Sequence, residues 1–181
     1  MATNVEIKAR VESWDELQRR AEALSDGPAT RLVQEDIFFW TASGRLKLRL
    51  LGDGSGQLVY YERADVPGPK PSNYVLFPTA NPAPLQALLA AALGVRGVVR
   101  KQRWLYRVGQ TRLHLDRVEG LGDFVELEVV LDDEREEDGA RIAAALMERL
   151  GIAPQDLVEG AYVDLLEQGV GGDKVEEGND G

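Results

Sequence analysis

The 181-residue sequence contains no cysteine and only one histidine. The lack of cysteine excludes a disulfide framework and a thiolate metal site, and a lone histidine excludes a zinc site built from several imidazoles. No apolar run approaches the length of a membrane span, and the N-terminus lacks the pattern of a signal peptide. We therefore expect a cytoplasmic protein that does not bind membranes, in which a metal ion would be a hard cation held by carboxylates.

The chain also has fewer basic than acidic residues. The chain has 21 Lys and Arg residues against 31 Asp and Glu residues, which gives a net charge of −10 at pH 7. Such an acidic balance argues against a general nucleic-acid binder. Apolar residues make up 44% of the chain, enough for one domain with its own core. We predict this domain over residues 1–168 and a disordered acidic tail over residues 169–181.

Alternation of apolar and polar residues dominates the rest of the chain and predicts eight β-strands. They cover residues 3–11, 31–40, 44–51, 56–63, 72–78, 97–108, 111–117 and 123–131. Four helices are predicted. The first follows Ser13, which forms a capping-box pattern with Glu16, and the third carries an apolar stripe that ends at Leu150. The second covers residues 82–93 and the fourth residues 160–168. Many short strands with appended helices indicate an antiparallel barrel or a strongly curved sheet.

Charges of one sign repeat along single faces of these strands. The repeated charges are Arg45, Lys47 and Arg49, then Lys101 and Arg103, then Glu126 and Glu128. Most alternating charged faces are solvated outer surfaces, but two like charges 4 Å apart repel by about 4 kcal/mol at an effective dielectric near 20. Crowded into a lumen, the cations would need a polyanion and the carboxylates a divalent cation. A complex of Mg²⁺ or Mn²⁺ with a polyphosphate meets both needs.

Four segments resemble, in this order, the CYTH superfamily of triphosphate tunnel metalloenzymes. They are NVEIKARV (4–11), GRLKLR (44–49), VVRKQR (98–103) and TRLHLDRVEGLGDFVELEVV (111–130). The resemblance covers about residues 3–166 and is closest to the class IV adenylyl cyclase-like branch. It implies an α+β fold, mainly antiparallel β: an eight-stranded closed β-barrel with a charged lumen, the triphosphate tunnel, and peripheral helices.

The resemblance also implies roles for individual residues. The implied catalytic residues are Glu6, Lys8 and Glu126, and the implied metal ligands are Glu6, Asp116, Glu126 and Glu128. The implied triphosphate contacts are Lys8, Arg45, Lys47, Arg49, Arg63, Lys101, Arg103 and Arg112. Asn4 stands where the family signature has its first glutamate, and an amide brings no negative charge to a metal. His114 shares the polar face of its strand, where a structural hydrogen bond and a substrate contact are equally compatible with the pattern.

The function implied is that of a class IV adenylyl cyclase, which converts ATP to cyclic AMP and pyrophosphate with Mg²⁺ or Mn²⁺. The same residues would suit a triphosphatase that hydrolyses inorganic triphosphate, thiamine triphosphate or a nucleoside triphosphate. A non-catalytic polyphosphate- or nucleotide-binding module is a third alternative, with Asn4 marking a weakened metal site. The expected partner is a triphosphate-containing small molecule, neither a nucleic acid nor a membrane is expected, and the resemblance allows a homodimer.

Overall fold

The chain folds into eight strands and four helices in the computed structural model, which describes residues 1–132 and 135–172. The strands are β1 (Ala2–Arg10), β2 (Thr30–Phe39), β3 (Arg45–Leu51), β4 (Gly56–Arg63), β5 (Lys70–Thr79), β6 (Val95–Val108), β7 (Thr111–Val118) and β8 (Gly122–Leu131). The helices are α1 (Trp14–Leu24), α2 (Pro82–Leu93), α3 (Glu136–Leu150) and α4 (Tyr162–Gly172). All eight predicted strands are confirmed, each end within two residues.

The strands pair in the order β1-β5-β4-β3-β2-β6-β7-β8, and every pair is antiparallel in a closed barrel. Pairing of β1 with β8 closes the barrel and places Glu6 opposite Glu128 and Lys8 opposite Glu126. The predicted eight-stranded closed barrel with peripheral helices is therefore confirmed. Because the closed sheet has an inner and an outer face and no free edge, alternate side chains of each strand point into the lumen or to the outside.

Helices cover much of the apolar outer face. Ile7 and Leu127 belong to the core that α1 and α3 complete with Leu17 and Leu146. Leu85 of α2 packs against a second core on β2 and β3. Apolar side chains of the strands that point outward are thus buried, and this burial fixes which side chains point inward.

Helix α4 has a different position, because it covers one end of the barrel. Tyr162 lies in a buried cluster with Phe38, Val99 and Phe124, and its ring meets that of Phe124 edge to face at 5.1 Å between centroids. This cluster closes the lumen at that end. The opposite end carries partly exposed side chains such as Leu76.

Two local details differ from the sequence-based expectation. Ser13 precedes α1, but its side chain makes no capping bond, and Glu16 instead forms ion pairs with Arg19 and Arg20. Helix α4 includes residues 169–172, which the composition predicts to be part of a disordered tail, and the rest of that predicted tail lies outside the described residues. Among the described residues, no helix is both long and apolar enough to cross a membrane.

Candidate functional site

The lumen holds a cavity of about 420 Å³. Of the residues implicated by the sequence, those lining it are Glu6, Lys8, Lys47, Arg49, Arg63, Lys101, Arg103, Arg112, Glu126 and Glu128. All of these lie on strands and occupy alternate positions within each strand, as the period of a β-strand requires. The structure therefore brings the predicted cations, from five strands, and the predicted carboxylates, from β1 and β8, into one space.

Asp36 on β2 organises the basic side of this cavity. Its carboxylate accepts hydrogen bonds from Arg49 Nε and Nη2 at 2.7 and 2.8 Å and from Lys47 Nζ at 2.9 Å, and Lys101 Nζ lies 3.4 Å away. Burial alone would raise the pKa of Asp36, but the charges of Arg49, Lys47 and Lys101 hold it well below its usual value. One ionised carboxylate thus holds three cations together in the lumen.

Asp36 was missed in the sequence analysis although a signal for it exists. It alternates with the buried Ile37 and Phe39, whose side chains belong to the outer core. The same rule that directs Lys47 inward therefore directs Asp36 inward.

The three cations around Asp36 carry more positive charge than that carboxylate can balance. Burial and the charge of Arg49 together lower the pKa of Lys47 to about 7, and the charge of Asp36 only partly opposes them. Burial and then Arg103 also lower the pKa of Lys101. A polyanion in the cavity would relieve this repulsion and favour the protonated lysines.

Opposite the cations, His114, Glu126 and Glu128 bring three ligand atoms within 4.8 Å of one another. Burial would raise the pKa of Glu126, but Lys8 and Arg103 hold it well below its usual value. Burial likewise opposes ionisation of Glu128, yet His114 and Arg112 lower its pKa to about 2. Both carboxylates are therefore ionised at neutral pH.

This group of residues fits a divalent cation. Glu126 and Glu128 supply ionised oxygens, and His114 Nδ1, 3.6 Å from Glu126, has no hydrogen-bond partner in the described part of the chain. Asn4, which is 2% exposed, also lines the cavity, and its Oδ1 is buried with no partner among residues 1–132 and 135–172. Carboxylate and amide oxygens are the ligands that Mg²⁺ and Mn²⁺ prefer.

Glu6, an implied metal ligand, is not part of that three-residue group. Its Oε2 accepts a hydrogen bond from Arg63 Nη1 at 2.9 Å, and Arg63 also donates to the carbonyl oxygen of Gly160 at 2.8 Å. Glu6 still lines the cavity, so its role as a ligand stays a prediction.

Asp116 and Arg45 do not line the cavity themselves. Asp116 is fully buried, and its two oxygens accept from Arg103 at 2.7 and 2.6 Å and from the Tyr162 hydroxyl at 2.9 Å. These contacts orient Arg103, which reaches Glu126 at 2.7 Å. Arg45 forms ion pairs with Asp65 and with Asp164 of α4. Both residues thus contact α4, Asp116 through Tyr162 and Arg45 through Asp164. Their implied contacts with metal or phosphate stay predictions.

Lys8 lies at the closed end of the lumen. It is 3% exposed, donates to the Gly160 carbonyl oxygen at 3.2 Å and lies 3.3 Å from Glu126 Oε1. Its Nζ also lies 3.9 Å from the centroid of the Tyr162 ring. Burial lowers the pKa of Lys8 to about 8 against the opposing charge of Glu126. The segment that enters α4 therefore fixes this lysine at the bottom of the cavity.

Comparison with known proteins identifies the family. A family model described as the CYTH domain matches residues 2–162. The chain belongs to the CYTH family. This CYTH chain is 36% identical over 85 residues to adenylate cyclase CyaB of Aeromonas hydrophila. That alignment covers 45% of the chain and 44% of the relative, so the chain spans less than half of the relative's length.

Solved structures share the CYTH barrel. The PH1012 protein of Pyrococcus horikoshii OT3 superposes with a TM-score of 0.78 at 27% identity, covering 90% of this chain and 98% of that one. HpAC1 of Hippeastrum, which has a dominant triphosphatase activity, superposes with a TM-score of 0.64 at 20% identity, covering 92% and 96%. The second likeness shows the fold alone. The two enzyme classes expected from the sequence, adenylyl cyclase and triphosphatase, are those named for these relatives.

Proposed function

We propose that this CYTH protein is a metal-dependent enzyme that acts on a triphosphate inside its barrel, converting ATP to cyclic AMP and pyrophosphate. One observation carries the proposal: a single cavity holds the cations around Asp36 on one side and the ligands Glu126, Glu128 and His114 on the other. An anionic chain that carries a divalent cation is complementary to both sides. The match to an adenylate cyclase over 85 residues agrees with it.

The metal site in this proposal consists of Glu126 and Glu128, with His114 and Asn4 beside them. A divalent cation bound there would neutralise phosphate oxygens and polarise the phosphorus that is attacked. We propose Mg²⁺ or Mn²⁺, and the imidazole in the set favours Mn²⁺, because imidazole is a better ligand for transition metals than for Mg²⁺.

The chain's own side chains would position the triphosphate. Arg49 and Arg103 offer planar guanidinium groups suited to paired contacts with phosphate oxygens, and Lys47 offers a point charge. In cyclisation the ribose 3′ oxygen bonds to the α-phosphorus as the bond to the bridging oxygen breaks and pyrophosphate leaves. The cations stabilise the negative charge on that leaving group, and Lys8, at the closed end of the lumen, would contact its terminal phosphate.

A triphosphatase is the second candidate, with water attacking the terminal phosphorus in the same site. The dominant triphosphatase activity of HpAC1, a protein with the same fold, favours considering it. Cyclisation and hydrolysis differ in the nucleophile and in which phosphorus is attacked, so a small change in how the triphosphate lies among the same cations would exchange them.

Product analysis separates these candidates. The protein is incubated with ATP, thiamine triphosphate or inorganic triphosphate and Mg²⁺ or Mn²⁺, and the products are resolved by phosphorus NMR. Cyclic AMP with pyrophosphate supports the cyclase, whereas a diphosphate with orthophosphate supports the triphosphatase. Triphosphate binding without turnover at any metal concentration would instead support a non-catalytic binding module.

The site itself is tested by Glu126→Gln and Glu128→Gln. Each substitution removes a charge from the proposed metal site while keeping the shape of the side chain, so we expect turnover to be lost with the fold retained. The matched control is Glu119→Gln, because Glu119 is an exposed carboxylate in the turn between β7 and β8. Full activity in both site variants would refute the proposed site.

A further inference from the structure

Four leucines line the cavity at the end away from α4. They are Leu76 on β5, Leu51 on β3, Leu32 on β2 and Leu105 on β6, and we name them the leucine crescent. On each of these strands the leucine is the lining residue farthest from the end that α4 closes. In the barrel these strands follow one another in the order β5, β3, β2, β6, except that β4 lies between β5 and β3 and contributes Gln57 there.

The other half of the same rim is polar. There β1, β8 and β7 contribute Asn4, Glu128 and Arg112, and Tyr74 of β5 lies beside them. The rim is therefore divided into an apolar half and a half that belongs to the proposed metal site. Uniform lining by charged residues would suffice for a bare polyphosphate, so the apolar half needs a separate explanation.

Apolar side chains do not help to bind inorganic triphosphate, because moving an anion out of water beside leucines costs free energy. An organic group joined to the triphosphate would instead cover the leucines and gain from their burial. The cavity volume of about 420 Å³ also lies within the range of about 300–1,000 Å³ that is typical of sites for small organic ligands.

Gln34 supplies a second observation at the same place. It lies on β2 between Leu32 and Asp36, the positions flanking it along the inner face, and is 5% exposed. Its Oε1 is buried and makes no hydrogen bond to any residue within the described ranges. A buried acceptor without a donor is costly, and a ligand that offers an N–H or O–H group would satisfy it.

We infer that the leucine crescent and Gln34 Oε1 form a subsite for the organic group of an organic triphosphate. The inference rests on the proposed function and narrows it: a nucleoside triphosphate or a similar ester is the substrate, and inorganic triphosphate is not. The triphosphate chain lies among the cations around Asp36, and the organic group lies toward the rim, against the leucines.

Calorimetric titration tests this without requiring turnover. ATP and inorganic triphosphate are titrated, with EDTA present, into the wild type, Leu76→Ser and Leu105→Ser. Leu76 is 45% exposed, so its variant is expected to fold even if that of Leu105 does not. The control is Leu88→Ser, since Leu88 is an exposed leucine of α2 outside the cavity. We expect the Kd for ATP to rise about tenfold in the crescent variants, as is typical when a pocket loses apolar contact, while the Kd for inorganic triphosphate is unchanged.

The outcomes are distinct. Selective loss of ATP affinity in the crescent variants supports the subsite. Equal loss for both ligands, or no change for either, overturns it, as does a wild type that binds inorganic triphosphate but not ATP. The first two results leave the proposed function standing, whereas the third also refutes conversion of ATP and leaves the triphosphatase as the candidate. A wild type that binds neither ligand overturns the proposed function and the subsite together.

Discussion

Asp36→Asn removes the one carboxylate that three lumen cations share, while the side chain keeps its shape. Arg49, Lys47 and Lys101 then remain buried without their counter-charge. Breaking a buried ion pair by removing one partner costs about 3–5 kcal/mol. Lys47 limits the loss, because its pKa is already about 7 and falls further without Asp36, so this lysine can release its proton. We therefore expect the free energy of unfolding at pH 7 to fall by about 3 kcal/mol, at the lower end of that range.

Urea unfolding measures this change as a lower midpoint with an unchanged slope. The matched control is Glu35→Gln, because Glu35 is the neighbour of Asp36 on β2 and pairs with Arg100 at 2.6 Å on the exposed outer face. An exposed pair contributes less than about 1 kcal/mol, so the control should remain close to the wild type. If Asp36→Asn costs no more than Glu35→Gln, Asp36 does not hold the cations together as described.

Inorganic triphosphate gives the same variant a second readout. Phosphate oxygens would replace the missing carboxylate beside Arg49 and Lys101, so the added ligand should stabilise Asp36→Asn more than it stabilises the wild type. Equal stabilisation of the two proteins would contradict a triphosphate chain lying among these cations.

Three further variants test separate parts of the site. The affinity for inorganic triphosphate, measured by calorimetry, should fall as the pH rises through about 7, because a polyanion binds the protonated form of Lys47. Lys47→Arg should flatten this pH profile, because arginine stays charged. Asn4→Glu adds a carboxylate beside the proposed ligands, so the Mn²⁺ affinity measured by titration should rise on the order of tenfold, and an unchanged affinity would mean that the present carboxylates suffice. Tyr162→Phe removes the hydroxyl that donates to Asp116 and should lower the free energy of unfolding by about 2 kcal/mol in urea, a loss that an unaltered midpoint would disprove.

Alternation within each strand was enough to predict most of the barrel. Outward leucines such as Leu48 and Leu113 must be buried, so the residues between them must face inward, and a period of two needs no knowledge of tertiary structure. The same rule covers Asp36, which was missed because it is a single charge on its face of β2 and not one of several like charges along one face.

Position along the lumen could not be predicted in the same way. Arg45 and Asp116 occupy inward positions of their strands, but both lie near α4, which closes the barrel from a distant part of the chain. Alternation gives the face of a side chain and not its depth. The group containing His114 depends on the register that sets His114 opposite Glu126, and the turn between β7 and β8 fixes that register.

Whether the barrel lumen holds the metal and the triphosphate can be determined by locating both in a crystal structure. Crystals of the protein grown with Mn²⁺ and inorganic triphosphate would show the metal by its anomalous scattering. We expect one peak inside the barrel, against Glu126 and Glu128, with phosphate density running from it to Lys47 and Arg49. Metal and phosphate bound only on the outer surface, with the lumen filled by water, would contradict it.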